Sequence, residues 1–216
     1  MQAINTPTYM RLREQLRADI VDGLWPLGSH VTLAQLAKHY EVSQNPVREA
    51  LLQLQGEGVV AMRMNRGAVI PQVDARYVDN LYRVRGAIQS MLAREAAQKV
   101  TAAQLEQLVQ LERERLDAAS RSDVALCVAA NRDFHRYVDG IAENPLAVEM
   151  LEGRSALVDA VRRSRGYGQE RLDLVAQQHA SLIDAFARQD GERAARTSHE
   201  HTESSRLDLL SMLRPT

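Results

Sequence analysis

The sequence predicts a mainly α protein: an N-terminal winged helix-turn-helix followed by a C-terminal all-α antiparallel helical bundle. Three observations carry this. Apolar residues recur at helical spacing through most of the 216 residues. The two runs with strand character, 59–62 and 68–70, flank a basic segment in the first third of the chain. Aromatic residues are 4% of a chain that is 45% hydrophobic, so Leu, Ala and Val supply the core, which suits helix packing. The boundary falls near 72–75, giving a winged domain over 1–73 and a helical domain over 74–216.

Tyr9, Leu12, Leu16 and Ile20 define a first helix over 9–22, which Gly23 ends before a turn at Pro26 and Gly28. Thr32 caps a short helix holding Leu33, Leu36 and Ala37, and Glu41-Val42 is a tight turn. Ser43 caps the next helix, which runs to about Gln55. Its Pro46 lies in the first turn, where the missing N–H has no partner to lose. Leu51, Leu52 and Leu54 of that helix are expected to face inward. Gly56 and Gly58 break it. Two short strands then flank the hairpin tip Arg63-Met64-Asn65-Arg66-Gly67, and Pro71 closes the unit. Beyond Asp74 the pattern predicts helices near 75–98, 102–119, 123–141, 145–164, 170–188 and 191–213. Their starts carry cap signals: the capping box Thr101-Ala-Ala-Gln104, Ser122 or Asp123, Asn144-Pro145 and Asp190-Gly191.

The formal net charge of -1 divides almost evenly: residues 1–73 hold seven Lys and Arg against six Asp and Glu. Nucleic-acid contact must therefore come from a local patch. The single cysteine, Cys127, excludes an intrachain disulfide and reads as a small buried hydrophobe of a reducing compartment. No apolar run approaches the ~20 residues that span a bilayer. The N-terminus lacks the charged and apolar regions of a signal peptide, so a cytoplasmic protein is expected.

A helix fits the major groove, and polar residues at its N-terminal end reach base edges. Here that end offers Ser43, Gln44, Asn45 and Arg48. Gln and Asn pair bidentately with adenine, and Arg with guanine or phosphate. Arg63 and Arg66 suit a minor groove or phosphates. Gly67 is expected to allow close backbone approach, and Thr32 joins the DNA-facing set. The expected partner is double-stranded DNA.

The runs Leu24-Trp-Pro-Leu-Gly28, Leu36-Ala37, Val42-Ser-Gln-Asn-Pro-Val-Arg-Glu-Ala-Leu51, Leu54-Gln-Gly-Glu-Gly58 and Arg66-Gly67 resemble the GntR family of bacterial regulators. The resemblance implies a homodimer on a short palindromic operator. The chain departs from the family pattern at Gln44 and Asn45, where Arg and Thr are common. It also reads Pro-Leu-Gly in the turn, and has Leu33 where an acidic residue is usual. Operator sequence is therefore not transferable.

In the helical half, Asn131 and His135 are one turn apart on one face. His179 lies on the apolar face of its helix. His201 is as far beyond Asp190 as His179 is before it, so an antiparallel pair of helices sets the two side by side. Any one of these histidines reads alone as a hydrogen-bonded core residue, or in the case of His201 as a surface one. Together, His135, His179, His201 and Asn131 make a candidate divalent-metal site, zinc first with nickel or manganese as alternatives. His30, His39 and His199 read as surface residues. Arg85 interrupts the stripe Val78, Leu81, Ile88, Leu92, and a buried cation needs an internal ion pair or an anionic ligand. Tyr82 and Gln89 flank it, and Arg154 between Leu151 and Val158 is a weaker candidate of the same kind. The runs Glu112-Arg-Glu-Arg115 and Arg162-Arg163 read as solvated faces.

Asn131-Arg-Asp-Phe-His135, Glu143-Asn144-Pro145, His179 and His201 resemble the FadR-type effector domain of that family. The resemblance implies metal ligands at Asn131, His135, His179 and His201, with Asn standing where the family has Asp, and an effector-binding Arg at Arg85. The expected function is transcriptional regulation. A small carboxylate effector would bridge the metal and Arg85, and so change operator affinity. Two competitors remain: a metal-dependent enzyme using the histidines, and a DNA-binding dimer with a vestigial pocket. Against the enzyme, no carboxylate base adjoins the histidines on their own stripe; Asp133 points off it.

Overall fold

The computed structural model describes residues 7–63 and 66–213, without the side chain of Glu152. Met64 and Asn65 of the expected hairpin tip lie outside the described residues. The chain divides into two compact units. One comprises 1–73 with 152–164; the other comprises 74–151 with 165–216.

In the first unit, α1 (Thr8–Val21), α2 (Leu33–His39) and α3 (Gln44–Gly56) pack through Leu12, Leu16, Ile20, Leu36, Val47, Ala50, Leu51 and Leu54, all buried. The expected inward-facing trio needs one correction: Leu52 is 51% exposed. At 100° per residue Val47, Leu51 and Leu54 share a face and Leu52 is carried off it. Strands β1 (His30–Val31), β2 (Ala61–Arg63) and β3 (Gly67–Val69) form an antiparallel sheet in the order β1-β3-β2. Val31 pairs with Ala68, and Met62 pairs with Ala68 from the other side. Val59, Val60 and Ile70, read from sequence as strand, are buried just outside β2 and β3.

Residues 152–164 belong to α7 (Pro145–Arg165). The sequence reading places all of 74–216 in one domain, yet by contacts this stretch joins 1–73. A small residue permits it: a Cβ on Gly153 would stand 2.5 Å from the Glu57 carbonyl oxygen. Leu157, Val158 and Val161 are buried, and Arg163 pairs with Asp22 at 3.0 Å.

Gly67 has φ +93°, and a Cβ there would lie 2.1 Å from the carbonyl oxygen of Val31. Gly67→Ala should therefore destabilise the winged unit by at least the ~1–3 kcal/mol of a strained backbone. The check is a lowered melting temperature with weakened operator binding; an unchanged melt would contradict the β1–β3 register.

The second unit is helical: α4 (Ala75–Lys99), α5 (Ala102–Ser120), α6 (Val124–Ile141), the start of α7, α8 (Gln169–Ala187) and α9 (Gly191–Met212). Thr101 and Gln104 form a reciprocal capping box, and Asp74, Asp123, Asn144 and Asp190 each accept a first-turn N–H. Its core gathers Leu92, Ala96, Leu108, Phe134, Val138, Leu182 and Phe186, with the Cys127 thiol also buried.

Candidate functional site

In the first unit the candidate DNA face is the N-terminal end of α3. Gln44, Asn45 and Arg48 are exposed, while Val47, Ala50 and Leu51 fix the opposite face in the core. Ser43 holds the N-cap position in extended backbone, but its side chain makes no cap hydrogen bond. Thr32 uses its hydroxyl on the capping box of α2, accepting from Gln35 N–H at 3.1 Å. Arg63 and Arg66 are exposed on the wing. Gly67 is corrected: it is buried, and the close approach it permits is to β1 rather than to DNA.

In the second unit α6, α8 and α9 bring His135, His179 and His201 together, with one ring nitrogen of each within 4.8 Å of the others. His135 Nε2 and His201 Nε2 are 3.1 Å apart. His179 is fully buried, stacked on Phe134 at 4.1 Å between centroids, and His201 is 7% exposed. Each outer nitrogen that has an assigned partner is tied down. His179 Nδ1 meets Glu112 Oε2 at 2.6 Å, and His201 Nδ1 meets Gln178 Oε1 at 3.0 Å. His179 Nε2 is buried with no hydrogen-bond partner. Burial first, and then their mutual repulsion and the charges of Arg85 and Arg171, push His135 and His201 well below the ordinary imidazole value. His179 is also lowered, because burial outweighs its carboxylate partner. All three are therefore neutral near pH 7, the form that ligates metal. Asn131 lies one turn ahead of His135 on α6 and is half-buried.

On α4, Tyr82 and Gln89 are buried and Arg85 is half-buried between them. The Arg85 guanidinium is 5.9 Å from the Tyr82 ring centre, and its Nε donates to Gln89 Oε1 at 3.3 Å. Gln89 Oε1 also accepts from Thr202 Oγ1 at 3.2 Å, so α9 holds the amide in place. Arg154 is corrected: it is exposed in the first unit, where its guanidinium lies against Gly58.

Charge alone misled the reading of three further groups. Glu112, Arg115 and Arg162 are not solvated: they are 6%, 1% and 4% exposed. Glu112 and Arg115 satisfy each other across one turn of α5, which lets both enter the core beside His179. The signal was present in the sequence, since both continue the buried stripe that runs from Leu108 to Ala118. Arg171, not singled out from sequence, is 6% exposed and donates to the hydroxyls of Ser204, at 2.7 Å, and Ser205.

Two family profiles match the chain: bacterial regulatory proteins of the gntR family over 8–70, and the FCD domain over 80–204, more than half the chain. The chain belongs to the GntR family. It is a DNA-binding transcriptional regulator with an FCD effector-binding domain, and the enzyme reading falls, because such GntR proteins are regulators. The E. coli K12 repressor RspR is 28% identical over 197 residues, covering 91% of this chain and 86% of RspR. The E. coli K12 galactonate operon transcriptional repressor is 26% identical over 200 residues, covering 83% and 86%. The solved structure of E. coli McbR/YncC shares the fold, with a TM-score of 0.84 at 20% identity and 97% and 100% of the two chains covered. None of the described helices of this GntR protein is long and apolar enough to cross a membrane.

Proposed function

We propose that this GntR regulator is a cytoplasmic repressor that binds a palindromic operator as a homodimer and leaves it when a small organic acid enters the FCD domain at a divalent metal. One observation carries the metal: three neutral imidazoles from three helices converge, and the buried Nε2 of His179 has no protein partner. A buried acceptor without a partner is costly, and a metal bond removes that cost. The 3.1 Å between His135 Nε2 and His201 Nε2 also suits two nitrogens each about 2.0–2.1 Å from one ion. His135, His179 and His201 would hold the ion, zinc first and nickel or manganese next, with Asn131 a weak or absent fourth ligand. Bound there, it supplies a Lewis-acidic anchor for a carboxylate oxygen.

The chain's own cations favour an anionic effector. Arg85 and Arg171 both bear on the histidine cluster, and a guanidinium fork matches a carboxylate. Gln89 and Tyr82 hold Arg85 for that contact. RspR and the galactonate operon regulator are both named repressors, and galactonate is itself a sugar acid. For the dimer, Val84 and Met91 on α4 and Leu207 on α9 remain exposed apolar side chains, at 59%, 36% and 54%.

Protein purified without chelator should carry about one metal ion per chain. Small carboxylates, galactonate and lactate among them, should raise its melting temperature, and chelator should remove the response. Metal-free protein that binds a carboxylate equally well in chelator would overturn the metal reading and leave recognition to Arg85.

A further inference from the structure

The metal reading gives no role to Glu112, a carboxylate buried to 6% exposure. Both its oxygens are engaged. Arg115 donates from Nη2 to Oε1 at 2.6 Å and from Nε to Oε2 at 2.9 Å, and His179 Nδ1 lies 2.6 Å from Oε2. The Arg115 guanidinium donates to both oxygens in the fork that pairs a carboxylate. An ionised carboxylate only accepts hydrogen bonds, so the imidazole nitrogen at 2.6 Å is the donor. His179 then carries its proton on Nδ1, and Nε2 is left as a bare lone pair. That is the buried atom without a partner, on a ring whose centroid lies 5.1 Å from that of His135 and 4.9 Å from that of His201.

His201 offers an internal comparison. Its Nδ1 meets a neutral acceptor, Gln178 Oε1, which also accepts from Ser204. The same arrangement thus recurs with an amide where His179 has an anion. A carboxylate on the outer nitrogen does more than orient the ring: it makes the inner nitrogen a stronger donor to a metal.

We propose that Glu112, paired with Arg115, is the positioning residue of the metal site: it fixes His179 as the Nδ1–H tautomer and presents Nε2 to the ion. This rests on the metal reading above, and the test separates the two. Removing Glu112 alone would strand Arg115 in the core, so the informative variants change both. Replacing a buried ion pair by apolar residues of like size leaves stability largely intact. E112L/R115M keeps the volume and removes the acceptor, whereas E112Q/R115M retains a neutral acceptor. Zinc affinity is read by competition with a chromophoric chelator, and the site's symmetry by the visible bands of bound cobalt(II). Wild type should bind zinc. E112L/R115M should bind about 10–100-fold more weakly with altered cobalt bands, and E112Q/R115M should fall between. Melting of the metal-free proteins should differ little, which a merely structural role would not predict. Nitrogen NMR of the metal-free wild type should show His179 protonated on Nδ1. Equal zinc affinity in all three proteins, or a His179 protonated on Nε2, would overturn the role of Glu112 while leaving the metal site standing. A wild type that takes no zinc would overturn both.

Discussion

Arg48→Ala should abolish specific operator binding, and Gln44→Ala should relax base preference at one operator position by about 1–3 kcal/mol. Both side chains are exposed near the start of α3, one turn apart. The helix that carries them is fixed by Val47, Ala50, Leu51 and Leu54, all fully buried. A rigid helix with polar residues at its leading end is what the major groove admits, and base edges are read from there. Neither substitution touches the core, so melting temperatures should stay within the small range of surface changes. Operator selection from a randomised pool, read beside the salt dependence of binding, separates the two roles open to Arg48. A guanine contact gives lost preference at one position. A phosphate contact gives uniform weakening and a salt slope shallower by about one. If both variants select the wild-type operator with wild-type affinity, α3 is not the reading helix.

Most element boundaries were legible because they are decided locally. Thr32, Thr101, Asp123, Asn144 and Asp190 cap helices from one to three residues away, and a cap is a sequence-local event. The meeting of His179 and His201 was legible too, since two helices turning at Asp190 fix which positions lie abreast. What escaped depends on distant partners. Strand β1 has two residues, too few to alternate, and exists through its pairing with β3. The missing Cβ of Gly67 makes room not for DNA but for the Val31 carbonyl, 36 positions earlier. Glu112 looked solvated because charge dominates a local reading, while the imidazole that draws it inward lies on α8. The stripe within α7 does not decide the surroundings of Arg154; Gly58, far earlier in the chain but in the same compact unit, does.

Those long-range links explain why His179 should separate sensing from DNA binding. His179→Ala is expected to abolish both metal binding and the effector response while the operator is still bound. The unit that carries α3 comprises 1–73 with 152–164, and His179 is not part of it. The complication is stability. His179 is fully buried, stacks on Phe134 and bonds Glu112, so alanine leaves a cavity and removes a donor from a buried carboxylate. The unpaired acceptor alone costs about 1–3 kcal/mol. His179→Asn separates the effects, because the Asn amide nitrogen can take over the Nδ1 donation to Glu112 and nothing replaces Nε2. This variant should melt close to the metal-free wild type, bind operator within a few-fold of it, contain no metal and ignore the carboxylate that releases the wild type. Operator release by the effector in a stable, metal-free His179→Asn protein would show that the imidazole Nε2 is a packing feature and that the signal enters through Arg85.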